Sequence, residues 1–224
     1  MINVDEVTKV YRTGDSQVEA LRGVTFHVPD GVCAFIVGPS GSGKSTLLTL
    51  LGALDRPTAG TILVGEEDLT TMTEDQQDRF RHDHVGFVFQ SFNLIGNLSA
   101  LDNVLIPFLP AGGWAPSRQK AIHLLSQVGL GERLKHRPWQ LSGGQQQKVA
   151  IVRALIKDPV LILADEPTGE LDSRAGDEIF QILRAQQIQR GCTLIVVTHD
   201  RRFIEPRDWL LELEDGQMVG NRPA

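Results

Sequence analysis

Residues 32–52 of the chain read VCAFIVGPSGSGKSTLLTLLG. The apolar run from 32 to 37 is typical of a strand that is buried on both faces. The glycine-rich stretch after it interrupts the strand, and the residues from 45 onward predict a helix that stops at Gly52. Strand, loop and helix in this order form one βα unit, which makes this stretch the centre of an α/β fold.

The loop from Gly38 to Ser45 matches the P-loop pattern GxxxxGK[ST] at every fixed position. Glycines let backbone N–H groups approach phosphates without a Cβ in the way, and the positive end of the next helix points at the same place. Lys44 is expected to reach the β- and γ-phosphates, and the Ser45 hydroxyl to hold Mg²⁺. A merely flexible loop is disfavoured by its position between a buried strand and an apolar helix. The predicted nucleotide-binding residues here are Gly38, Pro39, Ser40, Gly41, Ser42, Gly43, Lys44, Ser45 and Thr46.

Further strands are predicted on both sides of this unit. The apolar runs at 85–89, 161–164 and 193–197 indicate buried strands, and a helix is predicted over 173–189. Strands that alternate with helices imply a mainly parallel sheet. Short segments with alternating valines between 4 and 28 predict antiparallel β structure at the N-terminus.

Residues 99–156 change to helical character. Ser117 is expected to cap a helix that Gly129 ends, and a further helix is predicted over 146–156. We therefore expect one domain over 1–224. Residues 1–90 and 157–224 would form its nucleotide-binding core with the β subdomain, and 91–156 an inserted α-helical subdomain.

Two adjacent carboxylates, Asp165 and Glu166, end the strand predicted at 161–164. The carboxyl end of a strand is where an open α/β sheet binds ligands. Successive side chains diverge, so Asp165 is expected to hold Mg²⁺ and Glu166 to polarise the attacking water as a general base. A turn or helix cap is the alternative for such a pair in isolation, but a P-loop in the same chain favours the site.

Residues 141–145 read LSGGQ and precede the helix at 146–156. They form a second helix N-terminus that begins with glycines, although one nucleotide needs only one such phosphate-binding loop. This surplus indicates that a γ-phosphate is contacted from its opposite side by another subunit. A simple N-cap made by Ser142 is the alternative for these residues alone.

Together these segments resemble the ABC ATPase family, whose P-loop, LSGGQ segment and strand ending in Asp-Glu occur here in the right order along the whole chain. The resemblance implies a P-loop NTPase (RecA-like) core, with ATP and Mg²⁺ as its cofactors. It also implies a homodimer in which each ATP contacts the LSGGQ segment of the other copy. The residues expected to do so are Ser142, Gly143, Gly144 and Gln145.

The same resemblance implies roles for four further residues. Gln90 would touch Mg²⁺ or water and couple to a membrane partner, and His199 would contact the γ-phosphate. Tyr11 would stack on adenine, and Asp172 would cross the dimer interface. Singly, Tyr11 could be a strand-edge aromatic, His199 a solvated residue and Gln90 part of a turn. The implied catalytic residues are Lys44, Gln90, Glu166 and His199, and the implied metal ligands are Ser45, Gln90 and Asp165.

The segments 52–60 and 165–172 look closest to a subgroup whose permeases move little substrate through the bilayer. It includes lipoprotein-releasing (Lol-type), macrolide-exporting (MacB-type) and antimicrobial-peptide resistance systems and the FtsE/FtsX cell-division pair. The resemblance implies an ATPase that powers an integral membrane permease, peripheral at the cytoplasmic face of the plasma (inner) membrane. Glu170 stands where this subgroup usually has Asn, and Lys148 where it usually has Arg. Glu170 adds a negative charge near the expected dimer interface.

The composition agrees with an acidic enzyme that binds no nucleic acid. The 224 residues carry a net charge of −6, and no tract of Lys and Arg is available to neutralise a phosphate backbone. Residues 1–10 lack the apolar region of a signal peptide, and apolar runs such as 160–164 fall far short of the ~20 residues of a membrane-spanning helix. Cys33 and Cys192 lie in apolar runs without CxxC spacing, which favours buried thiols in a reducing cytosol over a metal or redox pair.

Two other kinds of ABC ATPase share these motifs. ABC ATPases of DNA repair need long coiled-coil insertions, and ribosomal ones usually carry two cassettes; this chain shows neither pattern. An ATPase that regulates a cell-wall hydrolase or a sensor through its permease, without transport, would use all the same motifs. The sequence leaves that alternative open.

Overall fold

The computed structural model describes residues 1–14, 16–109 and 114–224. Its strands are β1 (Ile2–Thr13), β2 (Ser16–Val28), β3 (Cys33–Val37), β4 (Ala59–Val64), β5 (Glu67–Asp68), β6 (Val85–Val88), β7 (Leu161–Asp165), β8 (Thr193–Val197), β9 (Trp209–Glu214) and β10 (Gln217–Pro223). Its α-helices are α1 (Lys44–Leu51), α2 (Glu74–His84), α3 (Ala100–Leu105), α4 (Trp114–Gln127), α5 (Gly143–Leu155) and α6 (Ser173–Arg190).

The strands form two sheets. A six-stranded sheet has the order β10-β9-β3-β8-β7-β6, and every pairing from β9 to β6 is parallel. A four-stranded antiparallel sheet has the order β2-β1-β4-β5. The predicted mainly parallel sheet and N-terminal antiparallel subdomain are confirmed, and the latter also recruits β4 and β5, which were not predicted.

The central strands are buried on both faces, as their continuous apolar runs predicted. Along β3, Ala34 and Ile36 pack into a core shared with α1 and the antiparallel sheet. Phe35 and Val37 point to the opposite face and pack against α6. This alternation follows from the two-residue period of a strand, so each central strand contributes to two cores at once.

A third core lies within the inserted helices. It joins α3, α4 and α5 through buried residues such as Leu101, Leu125 and Val152. The inserted helical subdomain is therefore present. Its boundaries at residues 91 and 156 stay a prediction.

Two predicted helix starts were wrong. Ser117 lies inside α4, which already begins at Trp114; Pro116 is tolerated so near the start because its missing N–H falls in the first turn. Helix α5 begins at Gly143 rather than residue 146. Ser142 caps it by accepting the backbone N–H of Gln145, whose side chain accepts the Ser142 N–H in return.

Both cysteines are buried, and desolvation raises their pKa values, to about 12 for Cys33. Thiols of this kind stay protonated and behave as small apolar groups. Within the described ranges, no helix combines the length and apolar character needed to cross a membrane.

The topology brings the carboxyl ends of four adjacent parallel strands together. The P-loop directly follows β3, and Glu166 directly follows β7. His199 and Gln90 each lie two residues after the end of a strand, β8 and β6 respectively. Ligands of open α/β sheets bind at this edge. Side chains distant in sequence therefore meet in one place.

Candidate active site

A cavity of about 520 Å³, the P-loop cavity, opens at this edge of the six-stranded sheet. Most of the predicted site residues line it: Gly38, Ser40, Gly41, Gly43, Lys44, Ser45, Thr46, Gln90, Asp165, Glu166 and His199. Strand β2 adds Val18, Glu19 and Ala20, which were not predicted. The prediction could not include them because only the packing of the antiparallel sheet brings β2 to this edge.

The lysine of the P-loop is hydrogen-bonded to the backbone of its own loop. The Lys44 ammonium donates hydrogen bonds to the carbonyl oxygens of Gly38, at 3.0 Å, and Pro39, at 2.6 Å. Gly43 caps α1 with a left-handed backbone, φ 99°. The ammonium, the N-terminus of α1 and the loop backbone thus line the same cavity, an arrangement that favours anion binding.

Ser45 and Asp165 pair across the cavity floor. The Ser45 hydroxyl donates to Asp165 Oδ1 at 3.2 Å. Burial raises the pKa of the Asp165 carboxyl above its ordinary value, and the nearby Glu166 charge raises it further, while the Ser45 bond and the Lys44 charge oppose this. A hydroxyl and a half-buried carboxylate beside a second carboxylate form a set of oxygens that suits a hard divalent cation.

Glu166 is held at two points. Its Oε1 lies 3.0 Å from His199 Nδ1, and its Oε2 accepts the Thr198 hydroxyl at 3.3 Å. The side chain of Glu166 is 19% exposed and that of His199 is 77% exposed, so the histidine stands at the solvent side. The Glu166 backbone adopts φ 44°, a strained left-handed conformation that its N–H bond to Val197 O supports. Strain of this kind at a carboxylate in a cavity indicates function.

Gln90 faces the segment that follows Glu166. A Cβ built at Gly169 would lie 3.0 Å from Gln90 Nε2, so the Gln90 amide packs closely against the backbone of this segment. The neighbouring Ser91 hydroxyl donates to Glu170 Oε1 at 3.3 Å. The turn after β6 and the turn after β7 are therefore in direct contact.

Comparison with known sequences agrees with this arrangement. The sequence profile of the family described as ABC transporter matches residues 21–169. The chain belongs to the ABC transporter family. It is the ATP-binding subunit of that family and an ABC-type ATPase, as the motifs predicted.

Individual relatives of this ABC ATPase are similar over its whole length. A Thermotoga maritima protein described as an uncharacterized ABC transporter ATP-binding protein is 50% identical over 216 residues, which cover 96% of the chain and 92% of that protein. The macrolide export ATP-binding/permease protein MacB of Brucella melitensis biotype 1 is 46% identical over 222 residues, 99% of the chain but 34% of MacB. The chain thus spans about a third of the MacB relatives it matches.

Solved structures of ABC cassettes share the fold. The dimeric post-hydrolysis state of the ATP-binding cassette MJ0796, bound to ADP and Pi, superposes with a TM-score of 0.89 at 40% identity. The match covers 100% of the chain and 98% of MJ0796. The predicted P-loop NTPase architecture is confirmed.

Some predicted site residues of the ABC ATPase lie apart from the P-loop cavity. Among the described residues that line it, none comes from the LSGGQ segment at 141–145. Asp172 caps α6 by accepting the Ala175 N–H at 2.9 Å. Tyr11 is 40% exposed and pairs across β1 and β2 with Val18, which lines the cavity. One chain therefore assembles only part of the predicted site.

Thr198 is a residue of the site that sequence reasoning missed. It is almost fully buried, and its hydroxyl donates to Glu166, the predicted base. The available signal was a polar residue between the apolar strand β8 and His199. That signal is weak, because Thr is common in β-strands in general.

The backbone of the P-loop yields a stability prediction. In Gly43→Ala the new Cβ would lie 2.5 Å from Ala20 O, on a backbone with φ 99°. We expect the free energy of unfolding to fall by about 2–4 kcal/mol, through the clash and the left-handed strain together. Gly41→Ala is the matched control, because φ is 79° but no atom of the described residues lies within 4 Å of the new Cβ, and it should cost about 1 kcal/mol. Urea unfolding checks both variants; equal losses would contradict the steric argument.

Proposed function

We propose that two copies of this chain close around two ATP molecules and hydrolyse them to drive an integral membrane permease. The observation that carries the proposal is the division of the site. One chain presents the P-loop, Glu166 and His199 in one cavity, while the LSGGQ helix start lies outside it. A second copy, facing the first head to tail, would bring that helix start to the γ-phosphate. The dimeric state of the similar MJ0796 cassette supports this arrangement.

In the closed dimer the residues of one P-loop cavity act in order. The Lys44 ammonium exchanges its bonds to the Gly38 and Pro39 carbonyls for bonds to phosphate oxygens. Glu166, oriented by Thr198 and His199, accepts a proton from the water that attacks the γ-phosphorus. His199, exposed at the solvent side, reaches the γ-phosphate and senses its release.

Mg²⁺ fits the oxygens of Ser45 and Asp165, with Gln90 lining the same cavity. The described residues contain no group of three or more His, Cys, Asp or Glu that could hold a metal ion. This donor set suits a Mg²⁺ that keeps waters and phosphate oxygens among its ligands. Bound there, Mg²⁺ would neutralise charge on the β- and γ-phosphates.

Two further residues complete the proposed nucleotide site. Tyr11 shares a sheet face with Val18 at the rim of the P-loop cavity and offers its ring to adenine. Its hydroxyl donates to Asp55 Oδ2 at 3.3 Å, and the Lys9 ammonium lies 4.9 Å from the ring centre. Asp172, at the start of α6, would lie at the interface between the two copies.

The permease would dock in a groove beside β6. This groove is lined by basic Arg81, Arg153 and Lys157 and by apolar residues such as Phe87 and Ile106. A cytoplasmic segment of a permease, with apolar side chains and acidic or carbonyl groups, would match it. The subunit would thereby be peripheral at the cytoplasmic face of the plasma (inner) membrane. The name of the MacB relatives joins an ATP-binding part and a permease in one protein, which supports a partner of this class.

The dimer is tested by a charge at the LSGGQ helix start. In Gly144→Asp the new Cβ meets Ala175 Cβ at an ordinary contact distance of 3.5 Å, and a carboxylate in the first helical turn is favourable, so the chain should fold normally. The same carboxylate would oppose the triphosphate of the other copy. In a Glu166→Gln background we expect ATP-dependent dimerisation, measured by size-exclusion chromatography with light scattering, to weaken at least about 100-fold.

Gly144→Ala is the matched control, since it adds the Cβ without the charge. It should dimerise within a few-fold of the parent. Dimerisation of Gly144→Asp at the parental ATP concentration would refute the proposed arrangement.

The permease is tested separately. The Glu166→Gln subunit can be trapped with ATP in native membranes and its co-purifying proteins identified by mass spectrometry. Recovery of ribosomal proteins or of the homodimer alone, without a permease, would contradict the proposed partner.

A further inference from the structure

A buried amide joins the two turns that carry Gln90 and Glu166. Gln147 lies on α5, is 0% exposed, and donates from Nε2 to Phe89 O at 3.2 Å and to Pro167 O at 2.6 Å. Phe89 directly precedes Gln90, and Pro167 directly follows Glu166. One side chain therefore holds both site residues through the backbone next to them.

The orientation of the Gln147 amide that makes these two hydrogen bonds leaves its own oxygen without a partner among the described residues. Because both partners are carbonyl groups, the NH₂ group must face them. The Oε1 atom is then buried without a partner in the part of the chain that the structure describes. A buried polar atom left unsatisfied is unfavourable and calls for an explanation other than stability.

A second side chain of α5, Arg153, also bonds the turn after β6. The Arg153 guanidinium donates to the carbonyl oxygens of Phe92 and Asn93, the first at 2.8 Å. Both residues have left-handed backbones, with φ 58° and 49°. The turn after β6 is thus held in a strained shape by α5.

We propose that Gln147 is a positioning residue that couples the LSGGQ helix start to the catalytic carboxylate. It lies two residues beyond Gln145 on the same helix, so a shift of α5 moves its amide as well. When the helix start contacts the nucleotide bound by the other copy, the Gln147 amide fixes the positions of the two turns that carry Gln90 and Glu166. Hydrolysis is thereby made conditional on closure. This inference rests on the proposed ATP-driven dimer.

Gln147→Met removes both hydrogen bonds and keeps the length of the side chain. We expect kcat for ATP to fall about 10- to 100-fold, because a displaced base or water costs about this much. The ATP affinity of the isolated subunit should stay within about twofold, since Gln147 does not line the P-loop cavity. In the Glu166→Gln background, ATP-dependent dimerisation should persist.

The chain provides a matched control at the opposite edge of the sheet. Gln187, 6% exposed, donates from Nε2 to Gly31 O at 2.7 Å and to Cys192 O at 3.1 Å, just before β3 and β8. Gln187→Met therefore removes the same kind of bridge far from the site. It should lower thermal stability about as much as Gln147→Met but leave kcat within about twofold. An equal fall of kcat in both variants would overturn the proposal.

A second substitution keeps the test decisive if Gln147→Met fails to fold. In Gln147→Glu, desolvation raises the pKa of the buried carboxyl, so it gains a proton as the pH falls and then donates one of the two bonds. The ratio of its kcat to the wild-type kcat should rise at least about fivefold from pH 8.5 to pH 6. A ratio independent of pH would contradict the inference. If Glu166→Gln with intact Gln147 fails to dimerise, the proposed function fails instead.

Discussion

Replacing Glu166 by Gln is expected to lower the ATP turnover number by about 10²- to 10⁴-fold, the contribution typical of a general base. The amide keeps the shape of the side chain but cannot accept a proton from water. Its oxygen can still accept the Thr198 hydroxyl, which Glu166 Oε2 accepts at 3.3 Å, so the turn should hold its shape. Phosphate release under saturating ATP and Mg²⁺ measures the effect.

Binding should survive this substitution. Removing one negative charge beside Asp165 lowers the repulsion that an incoming triphosphate meets, so the ATP dissociation constant should stay equal or decrease. Because hydrolysis no longer ends the closed state, a dimer should accumulate with ATP and be absent with ADP. Glu132→Gln, an exposed carboxylate change in a 3₁₀ turn, is the control and should match wild type. Turnover of Glu166→Gln within threefold of wild type would remove Glu166 from the role of base.

Replacing Lys44 by Met is expected to raise the ATP dissociation constant about 100-fold or more. Each charge-assisted hydrogen bond to phosphate contributes about 1.5–3 kcal/mol, and the ammonium is expected to bond both the β- and the γ-phosphate, so about 3 kcal/mol or more of binding free energy is lost. The fold should tolerate the change, because within the described residues the lysine bonds only the Gly38 and Pro39 carbonyls of its own loop. Titration with a fluorescent ATP analogue measures affinity.

Lys135→Met is the control for the loss of charge, because Lys135 is exposed outside the P-loop cavity. It should bind ATP as wild type does. The two site variants should also differ from each other, since Glu166→Gln retains bound ATP and Lys44→Met does not. An unchanged ATP affinity in Lys44→Met would mean that the loop N–H groups and helix start alone hold the phosphates.

Elements whose signals are contiguous were predicted well. Strands β3, β7 and β8 are uninterrupted apolar runs, and each was placed within one residue at either end. Helix α2 was missed because only Gln77 and Phe80 are buried on it, which leaves no apolar periodicity to detect. Strands β4 and β10 were missed as well. Both lie in sheets where pairing with neighbours, rather than composition, decides that they are strands.

The sequence by itself determined the chemistry of this ABC ATPase. A P-loop, an LSGGQ helix start and a strand ending in Asp165 and Glu166 are local patterns, and each requires particular residue types at neighbouring positions. Only the tertiary structure decided how they combine. Gln147 reaches two backbone carbonyls that are 58 and 20 residues away, and Thr198 meets Glu166 across two strands. Contacts of this kind depend on strand order and helix packing, which place residues by their position in the sheet rather than by their neighbours in the chain.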